Sequence, residues 1–178
     1  MELDNIAYRV SYRGVKYPRL EFKTGELLFV LPYGYNSDEL LKKHKSWILR
    51  KIEFIEDCLK NSSAKEIIER TDKELRDIVY SFAAKHSKEL GLKLSNIYFR
   101  EMRTKWASCS SKGNLTVNML TKDLPAHLIE YVIFHEIGHL VERKHNDKFW
   151  GIVSKGFNNY QELEKDLFVY WFRFNNRV

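Results

Sequence analysis

The chain is poor in cysteine. Cys58 and Cys109 are its two, far apart, and neither stands in a Cys-x-x-Cys pair. That excludes an all-cysteine zinc cluster and gives no sign of the disulfide framework of a small secreted domain. No stretch approaches the roughly 20 apolar residues that a membrane-spanning helix requires. The opening Met1-Glu2-Leu3-Asp4-Asn5 lacks the basic region and apolar run of a signal peptide, so the expected setting is the cytoplasm. Internal repeats and low-complexity segments are absent as well. What remains is 178 residues, 44% hydrophobic and 14% aromatic, too apolar for disorder and long enough to bury a sizeable core. A net charge of +6 is compatible with a nucleic-acid or acidic partner, and is equally ordinary for a basic globular protein.

Read in order, residues 6 to 31 have strand character. Ile6 to Tyr12 alternates apolar and polar, Tyr17 to Phe22 follows Gly14, and Thr24-Gly25 signals a turn before Glu26 to Leu31. A small antiparallel sheet is expected there. Asn36-Ser37-Asp38-Glu39 is a helix start signal, and Leu40, Leu41, Trp47, Ile48, Ile52, Ile55 and Leu59 carry that helix to about Lys60. Lys42, Lys43, Lys45, Arg50 and Lys51 make it basic, either as a solvated face or as a surface for an acidic partner. Asn61-Ser62-Ser63 marks the expected boundary between a β-rich region with a basic helix, 1–60, and a second region, 61–178. A long helix is expected from about Ala64 to Leu90, with a break near Thr71-Asp72 and Gly91 as its C-terminal cap. His86 on it reads as a surface histidine. Strand-like Ile97–Arg100 and Asn114–Asn118 follow, the latter after a Ser111-Lys112-Gly113 turn signal. Pro125, preceded by Asp123 as a cap, is expected to start the next helix.

That helix carries His135-Glu136-Ile137-Gly138-His139. Residues i and i+4 lie about 40° apart around a helix, so the two imidazoles aim at one point. Ile129, Ile133, Ile137 and Leu140 make one apolar stripe, and Phe134, Gly138 and Val141 a second, so the helix is expected to be mostly buried. Buried imidazoles beside a buried carboxylate need partners, and a metal ion supplies them. Zinc takes a near-tetrahedral shell with one open position when it is catalytic. Glu136, next to the first ligand, is then placed as general base. A third histidine, His145, follows six residues after His139. Continuous helix would turn it about 240° away, so the helix must end first. Asn146-Asp147 is expected to cap a new helix, and a last amphipathic helix starts near Tyr160. On residues alone the third ligand stays open among His145, Glu142 and a downstream glutamate such as Glu162 or Glu164.

Three separated stretches, Arg103-Thr104-Lys105-Trp106-Ala107-Ser108-Cys109, His135 to Leu140, and His145-Asn146-Asp147-Lys148-Phe149-Trp150, together resemble the YgjP-like metallopeptidases, relatives of the SprT-like and minigluzincin proteases. The resemblance implies an α+β, zincin-like fold: a small, mostly antiparallel sheet packed on an active-site helix, with additional helices and a cleft between them. It implies one Zn²⁺ held by His135, His139 and His145, Glu136 as catalytic acid/base, and a peptide or protein substrate. The Arg-x-Lys-Trp-x-Ser-Cys segment would form a strand and turn beside the cleft. Ala107 departs from the usual glycine there. His139 to His145 also has the metzincin spacing, but Glu142 stands where metzincins have glycine.

Arg103, Lys105 and Tyr160 are candidates for stabilising an oxyanion, and Trp106 is a candidate for substrate contact, although Trp106 and Trp150 read first as packing residues. The competing reading is a non-enzymatic or latent zinc-containing module whose basic surface binds nucleic acid or a protein partner. A structural zinc of that kind would be closed by four protein ligands, and no fourth is evident.

Overall fold

The computed structural model describes residues 8–23 and 26–175. The expected strand start at Ile6-Ala7 and the Thr24-Gly25 turn lie outside them. The chain divides into two compact units, one of residues 1–65 and 168–178, the other of residues 66–167.

In the first unit, strands β1 (Tyr8–Tyr12), β2 (Arg19–Lys23) and β3 (Glu26–Leu31) form a sheet of order β1-β3-β2. β2 runs antiparallel to β3, but β1 runs parallel to it, Tyr8 opposite Leu27 and Tyr12 opposite Leu31. The sheet is therefore mixed, not antiparallel as expected. Alternation reveals a strand, but which neighbour it pairs with depends on where the connection crosses. Leu27, Phe29 and Leu31 pack against Leu40, Leu41 and Ile48 of helix α1 (Ser37–Ser62). The Asn36 side chain caps α1 by accepting from the Asp38 amide at 2.8 Å. Lys42, Lys43, Lys45 and Arg50 lie exposed on it. Cys58 is buried with Ile55, Val169 and Phe172, so it is a packing residue as expected.

The second unit begins differently from expectation. Residues 63–71 are not helical, and helix α2 (Asp72–Glu89) starts where a mere break was expected. The cause is local. Thr71 and Glu74 form a capping box, with the Glu74 amide donating to Thr71 Oγ1 and the Thr71 amide to Glu74 Oε2. Gly91, at φ 65°, ends the helix as expected, with Leu92 N donating to Ser87 O at 2.8 Å.

β4 (Asn96–Arg100), β5 (Ala107–Cys109) and β6 (Asn114–Asn118) form the second sheet, of order β4-β6-β5. β5 and β6 make the antiparallel hairpin, closed by Gly113 at φ 75°; β4 is parallel to β6. A Cβ at Gly113 would come within 3.0 Å of the Lys93 carbonyl, so glycine is required there twice over. A 3₁₀ turn over Met119–Asp123 leads into helix α3 (Ala126–Gly138). Pro125, not Asp123, occupies the cap position, and α3 has no side-chain cap. The Pro125 carbonyl accepts from Leu128 N and Ile129 N instead. Helices α4 (Asp147–Gly156) and α5 (Tyr160–Asn175) follow, with the division between the units falling at Phe168 within α5. The architecture is α+β, with two small mixed sheets in place of one mostly antiparallel sheet.

Candidate metal centre and cleft

Most of α3 is interior, including Leu128, Ile129, Tyr131, Ile133 and Ile137. His135, Glu136 and His139 are partly exposed, so this helix opens to solvent only where its polar groups stand. The helix ends at Gly138, His139 forming its C-cap, and Val141 N and Glu142 N fold back onto the Gly138 carbonyl. A Cβ on Gly138 would lie 3.4 Å from Phe149, at the limit of ordinary packing. Asn146 then caps α4, its side chain accepting from Phe149 N at 3.1 Å. This stop-turn-start brings His145, the residue just before the cap, back over α3.

The donor nitrogens of His135, His139 and His145 all lie within 4.8 Å of one another. His135 Nε2 faces His145 Nε2 at 3.0 Å. Two imidazoles with lone pairs turned inward repel unless a proton or a cation lies between them. His139 Nδ1 is 3.1 Å from the Glu142 carbonyl, which requires Nδ1 to carry the hydrogen and leaves Nε2 a free donor. Partial burial holds the His145 imidazole below its usual range, and the neighbouring His135 and His139 charges add to this. Three imidazoles converging on one point are a donor set that a borderline-soft divalent ion takes, so the residues fit a metal.

Phe149, fully buried, is the floor under all three rings. It stacks on His139 at 4.4 Å and meets His135 and His145 edge-on at 4.9 and 4.8 Å. Trp150 stacks on His145 at 5.5 Å, and Tyr160 on Trp150 at 5.0 Å.

The histidines border a cleft of about 500 Å³ whose lining includes Lys105, Trp106, Cys109, Glu136, Arg143 and Glu164. β5 and the segment before it form one wall, in line with the implied strand and turn. Of the four substrate or oxyanion candidates, Lys105 and Trp106 line this cleft; Arg103 and Tyr160 are not among its lining residues, Tyr160 being stacked on Trp150. Arg143 was not singled out from the sequence, because an arginine in a short polar turn carries no signal. The Cys109 thiol is pushed up to about 11, mainly by burial and further by the Glu136 carboxylate, which lines the same cleft.

The other ligand candidates serve elsewhere. Glu142 accepts from Lys144 N at 3.2 Å and lies 3.8 Å from Lys148 Nζ, bracing the turn. That backbone hydrogen bond is the main reason its carboxyl is held below the usual range. Glu162 is exposed. Glu164 reaches the Nδ1 edge of His135, with Oε1 3.2 Å away, but the approach lacks the straight geometry of a hydrogen bond. The Tyr131 hydroxyl donates to the same oxygen at 2.5 Å. Burial raises the Glu164 carboxyl, but the nearby His135 ring and the hydrogen bond donated by Tyr131 outweigh it and leave the group below the usual range.

Two residues behind the cleft escaped the sequence reading. Asn118, 1% exposed, donates through Nδ2 to the Met102 and Lys105 carbonyls at 2.8 Å each. Its Oδ1 accepts from Met102 N and Leu120 N at 3.2 Å, so this one side chain pins the segment carrying Lys105 and Trp106. An asparagine ending a strand gives no hint of that. His86 is not a surface residue: it is 3% exposed, between Glu89 at 2.7 Å and Glu130 at 3.1 Å, edge-on to Phe134 at 5.0 Å. It tethers α2 to α3.

An imidazole triad that could hold a metal ion stands in a cleft beside a glutamate. The chain belongs to the YgjP-like family: the family described as "YgjP-like, metallopeptidase domain" matches residues 55–169. Two solved structures are similar. The metallopeptidase zymogen abylysin of Pyrococcus abyssi is 24% identical, over 50% of this chain and 90% of that one, with a TM-score of 0.46. The metallopeptidase zymogen jannalysin of Methanocaldococcus jannaschii is 25% identical, over 56% and 92%, with a TM-score of 0.44. No curated protein matches. Among the described residues no helix is long and apolar enough to cross a membrane.

Proposed function

We propose that this chain is a zinc-dependent peptidase acting on peptide or protein substrates, with residues 61–178 as its catalytic domain and 1–60 as an appendage. His135, His139 and His145 hold one zinc ion, and Glu136 is the catalytic base. The observation that carries this reading is the convergence of the three imidazole donors within 4.8 Å of one another, on the edge of a cleft that Glu136 also lines. Bound there, zinc supplies a Lewis acid that acidifies water and polarises the scissile carbonyl.

The chain's own residues do the rest. Glu136 takes a proton from the attacking water and returns it to the departing amine nitrogen. Lys105, exposed on the cleft wall, is the group that balances charge growing on the carbonyl oxygen in this reading, a role worth roughly 3–4 kcal/mol in known cases. Trp106 offers the substrate an apolar surface beside it. Among the described residues, the group able to hold a metal comprises these three histidines and no fourth ligand, which favours a catalytic ion over a closed structural one.

The test is Glu136→Gln. The variant keeps zinc stoichiometry and the circular dichroism spectrum of the parent, while cleavage of a peptide library falls by at least about 100-fold. Parent-like cleavage by the variant sinks the proposed base.

A further inference from the structure

We infer that Glu164, clamped by Tyr131, is the positioning residue for His135. It fixes that imidazole with Nδ1 protonated and Nε2 turned toward the ion. The inference rests on the zinc reading above and adds to it a residue outside the metal-binding set.

Tyr131 and His135 stand four apart on α3, so both project from one face of the helix. Glu164 arrives from α5, and a single oxygen serves both: Oε1 is 2.5 Å from the Tyr131 hydroxyl and 3.2 Å from His135 Nδ1. Tyr131 is fully buried, and a buried phenol must find an acceptor; Glu164 is the one it has. The clamp therefore fixes the carboxylate first, and the carboxylate then confronts the ring. His135 Nδ1 is itself buried and makes no hydrogen bond among the described residues, with Glu164 Oε1 standing 3.2 Å from it. Left without Glu164, its N–H would be stranded, and the ring could turn or adopt the other tautomer. Either change removes the Nε2 lone pair that faces His145. Glu164 is not a ligand in this arrangement, since it occupies the ring edge away from that meeting point. A carboxylate at the outer nitrogen of a ligating histidine also raises the basicity of the inner one.

The experiment measures Zn²⁺ affinity of the full chain against a chromophoric chelator, and the visible spectrum of the Co²⁺-substituted protein. The variants are Glu164→Ala, Glu164→Gln, His135→Ala and His145→Ala. Glu164→Ala is expected to weaken zinc binding by roughly 10- to 100-fold. Glu164→Gln keeps an acceptor oxygen but loses the charge, and weakens binding by about tenfold, the low end of that range. The cobalt band intensities should stay those of a site whose ligand set is unchanged. Where Glu164→Ala fails to fold by circular dichroism, Glu164→Gln decides alone.

Parent-like affinity in the folded Glu164 variants overturns the inference. So does a cobalt spectrum that changes its ligand character in Glu164→Gln while His145→Ala leaves it intact, because Glu164 would then be a ligand. If the parent binds zinc no better than His135→Ala, the metal reading itself fails, and that outcome is distinct from both.

Discussion

The two units contain the same three-stranded plan. In each, the first strand pairs parallel with the third, and the second pairs antiparallel with it. In each a helix follows the third strand. The helices have opposite characters. α1 opens with an asparagine cap and leaves a lysine-rich face in solvent, burying Leu40, Leu41, Ile48 and Ile55 along one side. α3 has no side-chain cap and buries most of its surface, yet it carries His135, Glu136 and His139. Polar groups on an otherwise solvated helix need no explanation. On an otherwise buried helix they cost desolvation free energy unless a cleft, a partner or an ion receives them. The comparison shows that the plan of strands says nothing about chemistry, which comes from what the helix presents.

Three tests sharpen that contrast, taken from the largest effect to the smallest. Chelation, or His135→Ala, removes both the ion and its share of stability. With zinc at about 100 times its dissociation constant, that share is roughly 2.7 kcal/mol, read as a lowered Tm. His44→Ala on α1 should leave zinc content unchanged, and a loss of metal there would break the distinction. Next, Asn118→Ala strands two carbonyls and two amides behind the cleft, and should cost about 1–3 kcal/mol in denaturant unfolding together with peptidase activity. Asn36→Ala removes one cap on α1 and should cost about 1 kcal/mol with activity intact. Equal effects on activity would mean that Asn118 does not serve the cleft. The smallest effect concerns pH. The Thr71 amide and hydroxyl hold the exposed Glu74 carboxyl below its ordinary range. A carboxyl lowered on folding contributes stability that is fully present above its unfolded pKa of 4.5 and is lost as pH falls through the folded value. Glu74→Gln should therefore lower stability slightly at neutral pH and flatten the acid limb of a Tm-against-pH curve. An unchanged acid limb would remove Glu74 from the capping argument.

Much of this was readable along the chain. The strands, the caps at Asn36 and Asn146, the stop before His145 and the paired face of His135 and His139 all follow from residues near each other in sequence. The errors share a cause. Residues 64–71 have helical composition, but the Thr71–Glu74 capping box sets the start of α2, while Arg70 is held by the Lys122 and Leu124 carbonyls. His86 lay on a helix whose local pattern did not place it inside, and burial came from α3 and Phe157. Parallel pairing of β1 and β4 was invisible because alternation is the same whichever neighbour a strand takes.

By itself, the sequence determined the helical periodicity that aims two imidazoles one way, and the asparagine cap that ends the turn at His145. Those are properties of a few successive backbone dihedrals. Only the tertiary structure decided which carboxylate comes to stand beside the His135 ring, and which asparagine holds a wall 13 residues away from it. Those partners meet through packing between elements, where sequence separation carries no distance information.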